Sequence, residues 1–296
     1  MEERNLNIAI VGSSGYIGRY LYGKLSQFEY IDILWRIGRE KGVDYVLDLA
    51  NAEKFDYSVL KPIDYIIFTA AISSPDNCEK EYAKCWKVNV DGTCFFIHKA
   101  LNMRCKVLFF SSDAVYGNIP GYIYSEDAET RAETDYGRMK KVVEDEFMNE
   151  TFFKAMRLSY VVSAKDRFVS YCLECVKDKI TAEVFHPFYR NCITISDVGN
   201  MVIWLIKYWN EFPHTFLNGA GGELVSRVRI ADEINRITNG GLRFRIVVPD
   251  KSFYFNRPEI TQMESLYLYR YNIIAQKSFT RRLQSELEGY VNASKN

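Results

Sequence analysis

Short apolar runs alternate with stretches of helical periodicity through the first two-thirds of the chain. Several runs are apolar throughout, which is typical of parallel strands buried on both faces of a sheet. Helical patterns lie between them at 17–27, 79–102 and 135–150. This order predicts right-handed βαβ units and a doubly wound α/β sheet of the Rossmann type. The predicted strands are Asn7–Val11, Ile31–Trp35, Tyr45–Leu47, Tyr65–Phe68, Lys106–Phe110 and Lys154–Leu158.

The rhythm changes near residue 160. Helical patterns at 166–178, 196–210 and 228–239 are interleaved there with short extended pieces at Cys192–Ile195 and Arg243–Val248. We therefore predict a nucleotide-binding domain over residues 1–160. A smaller α+β portion over residues 161–296 is predicted to bind substrate and to be partly interleaved with the first domain.

Composition narrows the class of protein. Of the 296 residues, 48% are apolar, and Lys plus Arg equal Asp plus Glu at 38 each. With no net positive charge, the chain lacks the excess of basic residues that is expected of a nucleic-acid-binding protein. It has no apolar run of the roughly 18 residues that span a bilayer, and its polar start does not resemble a signal peptide. We expect a cytoplasmic protein, and the spacing of its cysteines and histidines predicts no metal site.

Three glycines end the first apolar run, at Gly12, Gly15 and Gly18. A strand that turns on glycine into a helix can bring its backbone close to a pyrophosphate, since no Cβ atoms intervene and the helix N-terminus offers free N–H groups. The turn therefore predicts dinucleotide contacts. Its predicted contact residues are Gly12, Ser14, Gly15, Tyr16, Ile17 and Gly18.

Two further strand ends carry small or hydroxyl-bearing residues. Ala70, Ala71 and Ser73 follow the fourth strand, where small side chains let cofactor and substrate lie against the backbone. Ser112 and Asp113 follow the fifth strand, where a hydroxyl group can orient a reacting oxygen.

Tyr136 and Lys140 are four residues apart on a predicted helix, so both project from one face. A tyrosine ordinarily titrates near pH 10, and a neighbouring ammonium lowers that pKa. Such a phenol can give a proton to a carbonyl oxygen as hydride reaches the carbon, or take one from an alcohol in reverse. Ser112, Tyr136 and Lys140 are the predicted catalytic residues.

These motifs resemble the extended short-chain dehydrogenase/reductase superfamily, in the branch that acts on nucleotide-activated sugars. The resemblance places Ser112, Tyr136 and Lys140 on the catalytic positions. It also implies that Asp48 and Leu49 contact the adenine, and that Asn89, Tyr136 and Lys140 serve the cofactor site. In this resemblance, Arg190 and Arg257 match arginines that bind the diphosphate of a nucleotide sugar.

The residues at the end of the second predicted strand bear on the choice between NAD(H) and NADP(H). NAD-preferring relatives carry an acidic residue there, whereas this chain has Arg36 and then Arg39. Guanidinium groups attract a 2′-phosphate that a carboxylate would repel. NADP(H) is therefore favoured over NAD(H).

Among the branches, Ser112-Asp113 resembles the dTDP-4-dehydrorhamnose reductase family, which implies NADPH-dependent reduction of a nucleotide-linked 4-keto-6-deoxysugar. Ala114 stands where a 4,6-dehydratase needs a glutamate, which disfavours dehydration. The alternatives are a nucleotide-sugar 4-epimerase and a non-catalytic NADP-binding subunit. Seven apolar helix positions are predicted either to form a homodimer interface or to lie in the buried core, and we prefer the core. They are Phe95, Phe96, Ile97, Ala100, Val142, Val143 and Phe147.

Overall fold

The computed structural model describes residues 5–293, with side chains up to residue 290. The strands are β1 (Leu6–Val11), β2 (Ile31–Gly38), β3 (Tyr45–Val46), β4 (Tyr65–Phe68), β5 (Lys106–Ser112), β6 (Ile123–Tyr124), β7 (Phe153–Leu158), β8 (Val161–Val162), β9 (Ala182–Phe185), β10 (Tyr189–Arg190), β11 (Ile193–Thr194), β12 (Phe216–Gly219), β13 (Val225–Ser226), β14 (Phe244–Val247) and β15 (Ile260–Met263).

The helices alternate with these strands through most of the chain. They are α1 (Tyr16–Leu25), α2 (Pro75–Lys80), α3 (Tyr82–Trp86), α4 (Thr93–Asn102), α5 (Asp135–Phe147), α6 (Arg167–Asp178), α7 (Ile195–Lys207), α8 (Arg227–Ile237) and α9 (Phe279–Ala293). Short 3₁₀ turns lie at Leu49–Lys54, Tyr57–Leu60, Asp113–Val115 and Lys251–Tyr254, and a π-helical turn lies at Lys87–Gly92.

The chain divides into two compact units whose segments alternate along the sequence. Within the described residues, unit 1 comprises residues 5–117, 129–157 and 205–217, and unit 2 comprises residues 118–128, 158–204 and 218–293. The domain boundary predicted at residue 160 stays a prediction.

The large sheet belongs to unit 1 and has, within residues 5–293, seven strands in the order β12-β7-β5-β4-β1-β2-β3. β1 pairs in parallel with β2 and β4, and β5 pairs in parallel with β4. Helices cover both faces of this sheet. The strand order reverses beside β1, which brings the carboxyl ends of β1 and β4 together as in dinucleotide-binding folds. The predicted Rossmann fold class is confirmed.

Burial on both faces explains why the central strands read as continuous apolar runs. Every residue of β4, whose sequence is Tyr-Ile-Ile-Phe, is buried. Helix positions Phe96, Ile97 and Ala100 fill the core of this sheet. Val143 and Phe147 of α5 do the same, as the preferred interpretation expected, whereas Phe95 and Val142 remain exposed.

Unit 2 contains short strands together with α6, α8, α9 and most of α7. β10 pairs antiparallel with β13 and parallel with β15, and β14 pairs in parallel with β9. The core of this unit lies between α6, α8 and α9 and includes Phe168, Ile230 and Leu283. Its mixed small sheets match the predicted α+β portion. Across residues 5–293, no helix is both long and apolar enough to cross a bilayer.

Candidate active site

The glycine turn after β1 is determined by close backbone contacts. Gly12 has a φ of +86°, and a Cβ atom there would lie 2.6 Å from the backbone nitrogen of Ala70. A Cβ atom on Gly18 would lie 2.3 Å from the carbonyl oxygen of Gly12. Both positions therefore exclude any side chain. Thr69 strengthens the contact, since its hydroxyl group donates to the carbonyl oxygen of Val11 over 3.0 Å.

The turn leaves hydrogen-bonding groups available to a ligand. α1 begins after Gly15 with no side-chain cap, so its first N–H groups point out of the helix end. Tyr16 is exposed there, and Ser14 and Ile17 are half-buried. Ser13 adds a buried hydroxyl group with no hydrogen-bond partner among the described residues. An uncapped helix start and an unpaired hydroxyl beside glycine fit the pyrophosphate of a dinucleotide.

The two arginines near the end of β2 differ in what they contact. Arg36 forms an ion pair with Asp44 over 3.0 Å, and its guanidinium lies 5.1 Å from the ring centroid of Tyr22. The hydrogen bond from Arg36 lowers the pKa of Asp44. Arg39 is exposed and forms no ion pair or hydrogen bond with the side chains and backbone described over residues 5–290. Arg39, whose charge acts on the nearby carboxylate of Asp48, stays the predicted contact of a 2′-phosphate.

Asp48 and Leu49 lie at the start of a 3₁₀ turn. The carboxylate of Asp48 accepts from the Ala50 backbone N–H at 3.0 Å and from the Asn51 side-chain amide at 2.7 Å. The hydrogen bond from Asn51 holds the pKa of Asp48 below its usual range. Asp48 is exposed and charged, whereas Leu49 is buried. The backbone of Leu49 packs so tightly on Gly92 that a Cβ there would lie 1.8 Å from the Leu49 oxygen.

Asn89 fixes the loop that follows β4. It is buried in the π-helical turn, a feature that is frequent at functional sites. Its side-chain oxygen accepts from the Ile72 backbone N–H at 2.8 Å, and its amide nitrogen donates to the Ile72 carbonyl at 2.9 Å. Asn89 therefore acts through Ile72 and holds half-buried Ala70 and Ala71 in place beside the glycine turn, with Ser73 exposed beyond them.

Ser112 ends β5 and caps the 3₁₀ turn after it. Its hydroxyl group donates to Asp113 Oδ1 at 3.0 Å and accepts from the Ala114 backbone N–H at 3.2 Å. The same turn contacts α5 closely, because a Cβ atom on Gly137 would lie 2.0 Å from the Ala114 carbonyl oxygen. This contact brings the start of α5, and with it Tyr136, next to the Ser112 turn.

Tyr136 is half-buried in the first turn of α5, which Thr134 caps by accepting from the Gly137 backbone N–H at 3.1 Å. Burial raises the pKa of the Tyr136 phenol, and the nearby Cys78 and Asp113 raise it further. None of the described residues hydrogen-bonds its hydroxyl group. The phenol is therefore protonated at neutral pH, and the lowered pKa expected from the neighbouring ammonium is not found in the free protein.

Lys140 lies one turn further along α5 and is only 3% exposed. Its Nζ donates to the Phe110 carbonyl oxygen at 2.7 Å and lies 5.8 Å from the ring centroid of Tyr136. Burial lowers the pKa of Lys140 to about 7, while the charge of Glu144 acts in the opposite direction. The structure thus puts the ammonium beside the tyrosine ring and holds it on β5.

A buried ion pair behind Lys140 was not found by sequence reasoning. Arg157 at the end of β7 donates to Glu144 at 2.6 Å and to the Tyr116 hydroxyl at 2.9 Å. Both charged groups are almost completely buried. A glutamate one turn after the lysine, together with an arginine within the predicted strand Lys154–Leu158, was the available signal. Glu144 connects this ion pair to the candidate site, because its negative charge acts to raise the pKa of Lys140.

The two arginines predicted to bind the diphosphate both lie in unit 2. The Arg190 guanidinium donates to the carbonyl oxygens of Tyr189 at 2.6 Å and Pro258 at 2.8 Å. It also stacks on Phe188, with 4.3 Å to the ring centroid. Arg257, adjacent to Pro258, is half-buried. Arg190 therefore ties β10 to the segment that carries Arg257, and its substrate contact stays a prediction.

Comparison with curated proteins gives distant relatives. UDP-glucuronic acid decarboxylase 1 of Danio rerio is 27% identical over 134 residues, which are 43% of this chain and 32% of that protein. This chain thus spans 32% of the length of the decarboxylases that it matches. The Bacillus subtilis (strain 168) spore coat polysaccharide biosynthesis protein SpsK is 25% identical over 232 residues, covering 73% of this chain and 80% of that protein.

Solved structures show the same fold. The dTDP-4-dehydrorhamnose reductase of Yersinia enterocolitica aligns with a TM-score of 0.79 at 23% identity, over 97% of this chain and 99% of that one. The Bacillus anthracis reductase of that name, in complex with NADP, gives 0.82 at 18% identity, over 96% and 98%. The UDP-glucose 4-epimerase of Thermotoga maritima gives 0.77 at 15% identity, over 98% and 100%.

The sequence profile of the NAD dependent epimerase/dehydratase family matches residues 8–213, which include the glycine turn and all three predicted catalytic residues. The resemblance predicted from these motifs is confirmed. The chain belongs to the NAD dependent epimerase/dehydratase family.

Proposed function

We propose that this chain is an NADPH-dependent reductase that converts the C4 ketone of a nucleotide-linked 4-keto-6-deoxysugar to an alcohol. The observation that carries the proposal is the packing of Gly137 on Ala114, which joins the helix of Tyr136 and Lys140 to the Ser112 turn. One phenol, one ammonium and one hydroxyl group are thereby gathered at the end of β5. These are the groups that a carbonyl reduction needs.

The cofactor assignment rests on the glycine turn and on Arg39. The turn residues Gly12–Gly18 would hold the pyrophosphate, and Arg39 would bind the 2′-phosphate that distinguishes NADPH from NADH. The Bacillus anthracis reductase that shares this fold was solved in complex with NADP. NADPH, when bound, supplies the hydride that reduces the ketone carbon.

Side chains of the protein then orient and protonate the ketone oxygen. Ser112 donates a hydrogen bond that orients this oxygen, and Tyr136 transfers its phenolic proton to it as the alcohol forms. Lys140 stabilises the resulting phenolate, since its ammonium lies near the tyrosine ring. Solvent then returns a proton to Tyr136.

In the free protein, the Tyr136 phenol carries the proton that reduction of a ketone requires. Burial raises the pKa of this phenol, so the free protein holds the acid form. Reduction begins with that form, whereas a 4-epimerase begins by taking a proton from an alcohol and needs the phenolate. Ala114, in turn, lacks the carboxylate that a dehydratase uses.

The substrate class is supported by the relatives. The Bacillus subtilis relative is named for polysaccharide biosynthesis, and the reductases of the same fold are named for a dTDP-linked 4-keto sugar. A sugar activated by a nucleoside diphosphate is the reactant in the names of the reductases.

The test is NADPH oxidation, followed at 340 nm, with a panel of dTDP- and UDP-linked 4-keto-6-deoxysugars. At least one sugar should be reduced with one NADPH consumed per alcohol formed. Tyr136→Phe should lower turnover by about a hundredfold to ten-thousandfold, the range for a positioned acid. Tyr82→Phe is the matched control, because Tyr82 is exposed on α3.

Two results would contradict the proposal. One is interconversion of C4 epimers of a nucleotide sugar with tightly retained NAD and no net NADPH consumption, which would identify an epimerase. The other is NADPH binding without reduction of any sugar in the panel, which would identify a non-catalytic subunit.

A further inference from the structure

A cavity of about 580 Å³ lies at the amino edge of the large sheet, where its parallel strands begin. It is lined by the first residues of three neighbouring strands, Leu6 of β1, Tyr65 of β4 and Lys106 of β5. The glycine turn and the Ser112 turn lie at the carboxyl ends of these strands, and β1, six residues long, spans about 20 Å. The cavity is therefore separate from the candidate active site, and the proposed reaction does not use it.

The charged side chains of this cavity are mainly cationic. Lys61, Arg104 and Lys106 line it together with one carboxylate, that of Asp64. The Asp64 carboxylate already accepts from the Asn7 backbone N–H at 2.9 Å. Three cations and one anion give the cavity an excess of positive charge, which favours an anionic ligand.

These cations differ in how far the protein itself occupies them. Lys106 Nζ donates to the Tyr65 hydroxyl at 3.3 Å and lies 5.1 Å from the ring centroid. The charge of Lys61 acts on exposed Asp56, whose pKa is lowered mainly by a hydrogen bond from Ser58. The guanidinium of Arg104 forms no ion pair, hydrogen bond or ring contact with the side chains and backbone described over residues 5–290. Arg104 is therefore the cation that can turn most fully to a ligand.

Arg104 also has a backbone conformation that glycine adopts more readily. Its φ is +62°, in the left-handed region. It follows the end of α4, where its N–H donates to the Leu101 carbonyl at 2.8 Å and the Cys105 N–H donates to the Ala100 carbonyl at 3.1 Å. Glycine is usual at this position of a helix end, because a Cβ atom is unfavourable there. An arginine at such a position indicates a use for its side chain.

Asn7 adds a buried acceptor to the same cavity. Its amide nitrogen donates to the Pro62 carbonyl at 2.7 Å, which determines the orientation of the amide. Its side-chain oxygen is buried and has no hydrogen-bond partner among the described residues. A buried acceptor that is left unpaired is unfavourable, so a ligand with a hydroxyl or N–H donor would satisfy it.

We propose that this cavity binds a phosphate monoester that also carries hydroxyl groups, as a sugar phosphate does. Arg104 and Lys61 hold the phosphate, whose charge at pH 7 is about −1.5 to −2, and Asn7 Oδ1 accepts from a hydroxyl group. The volume of about 580 Å³ leaves room for the organic part, since small-molecule sites measure about 300 to 1,000 Å³. This inference goes beyond the proposed reductase activity and does not depend on it.

The test is calorimetric titration of the full chain with ribose 5-phosphate in excess NADPH, so that a nucleotide site at the glycine turn is filled. Arg104→Gly should weaken binding about tenfold or more, because a charge-assisted contact is lost. Lys61→Met should weaken it in the same direction. Lys54→Met is the control, since Lys54 is exposed and does not line the cavity, and its affinity should equal that of the unchanged protein.

Urea unfolding without ligand separates a binding role of Arg104 from a structural one. Arg104→Gly should raise the urea midpoint, because glycine adopts a positive φ without the penalty of a Cβ atom. Lys179→Gly is the matched control, since Lys179 follows α6 with a φ of +56° and the same pair of backbone hydrogen bonds. It should raise the midpoint likewise and leave the affinity for ribose 5-phosphate unchanged.

Three results would overturn the proposal. The first is a lack of ribose 5-phosphate binding to the unchanged protein, and the second is equal affinity in Arg104→Gly. The third is binding of inorganic phosphate or of ribose as tightly as ribose 5-phosphate, since the proposed ligand needs both parts. Failure of the reductase proposal is measured separately, by NADPH oxidation with ketosugars, and would leave this site standing.

Discussion

Lys140 Nζ donates a hydrogen bond of 2.7 Å to the carbonyl oxygen of Phe110, and this bond attaches α5 to β5 from inside the protein. The amine is buried, and its Nζ also lies 4.3 Å from the ring centroid of Phe109. Burial lowers its pKa to about 7. A lysine that serves the proposed chemistry is thus also a titrating group of the core.

The stability of the protein should depend on pH through Lys140. In the unfolded chain the pKa of the Lys140 amine is about 10.4. Between about pH 7 and pH 10, the unfolded state therefore binds a proton that the folded state does not. Stability therefore rises with pH in this window, by up to about 1.4 kcal/mol per pH unit. Urea unfolding at a series of alkaline pH values should show this rise in the unchanged protein and a smaller rise in Lys140→Met.

Lys141→Met is the control for that measurement, because Lys141 lies on the outer face of α5 and pairs with Asp145. Its stability should follow the pH dependence of the unchanged protein. Parallel curves for Lys140→Met and the unchanged protein would mean that the buried amine stays charged in the folded state.

Gly137→Ala should destabilise the protein and abolish its activity. The added Cβ would lie 2.0 Å from the Ala114 carbonyl oxygen, so α5 or the Ser112 turn would have to move. We expect a loss of about 3 kcal/mol or more in the free energy of unfolding, at the upper end of overpacking effects. Urea unfolding and NADPH oxidation measure the two consequences.

Gly23→Ala is the matched control for that substitution. Gly23 is also helical, but a Cβ atom there would meet nothing within 4 Å. It should gain up to about 1 kcal/mol from helix propensity. Equal stability of the two alanine variants would show that the contact of Gly137 with Ala114 does not constrain the site.

Glu144→Gln should be costly because it leaves Arg157 as an unpaired buried charge. Breaking one side of such a pair costs about 3 to 5 kcal/mol. Adding Arg157→Met to the variant should recover part of this loss, since neither charge then remains buried. Chemical denaturation of the single and double variants measures both effects, and additive losses would contradict a direct coupling.

Arg39→Gln should weaken NADPH binding and leave NADH binding unchanged. The loss of one charged hydrogen bond to the 2′-phosphate corresponds to about a tenfold rise in Kd or somewhat more. Fluorescence titration with each nucleotide gives the comparison, and exposed Lys41→Gln is the control on the same loop. An equal loss for NADH and NADPH would assign Arg39 a role away from the 2′-phosphate.

The parts of the site that could be predicted from sequence depend on local geometry. Gly12 and Gly18 are recognisable because the turn itself excludes side chains, and Tyr136 and Lys140 because helical spacing puts them on one face. The strand runs were predicted for a similar reason, since burial on both faces demands apolar residues throughout. The predicted single helical stretch at 79–102 is interrupted by the π-helical turn that Asn89 occupies, a detail that periodicity does not reveal.

The parts that sequence reasoning missed depend on contacts between distant elements. Glu144 and Arg157 are in a helix and a strand, and nothing in their local sequence pairs them. Arg190 was predicted from its motif, but the motif does not reveal that its donors are used on backbone carbonyl oxygens.

The side chain of Asn89 forms hydrogen bonds with both the N–H and the carbonyl oxygen of Ile72, in the loop after β4. A neighbouring β-strand would form the same pair of bonds. The middle of this loop is therefore held through its backbone and not through the side chains of Ala71 and Ser73. Substitutions at Ala71 and Ser73 can vary the shape presented by the loop without shifting its backbone. The scaffold thus provides a place where selectivity for different sugars could be redesigned one position at a time.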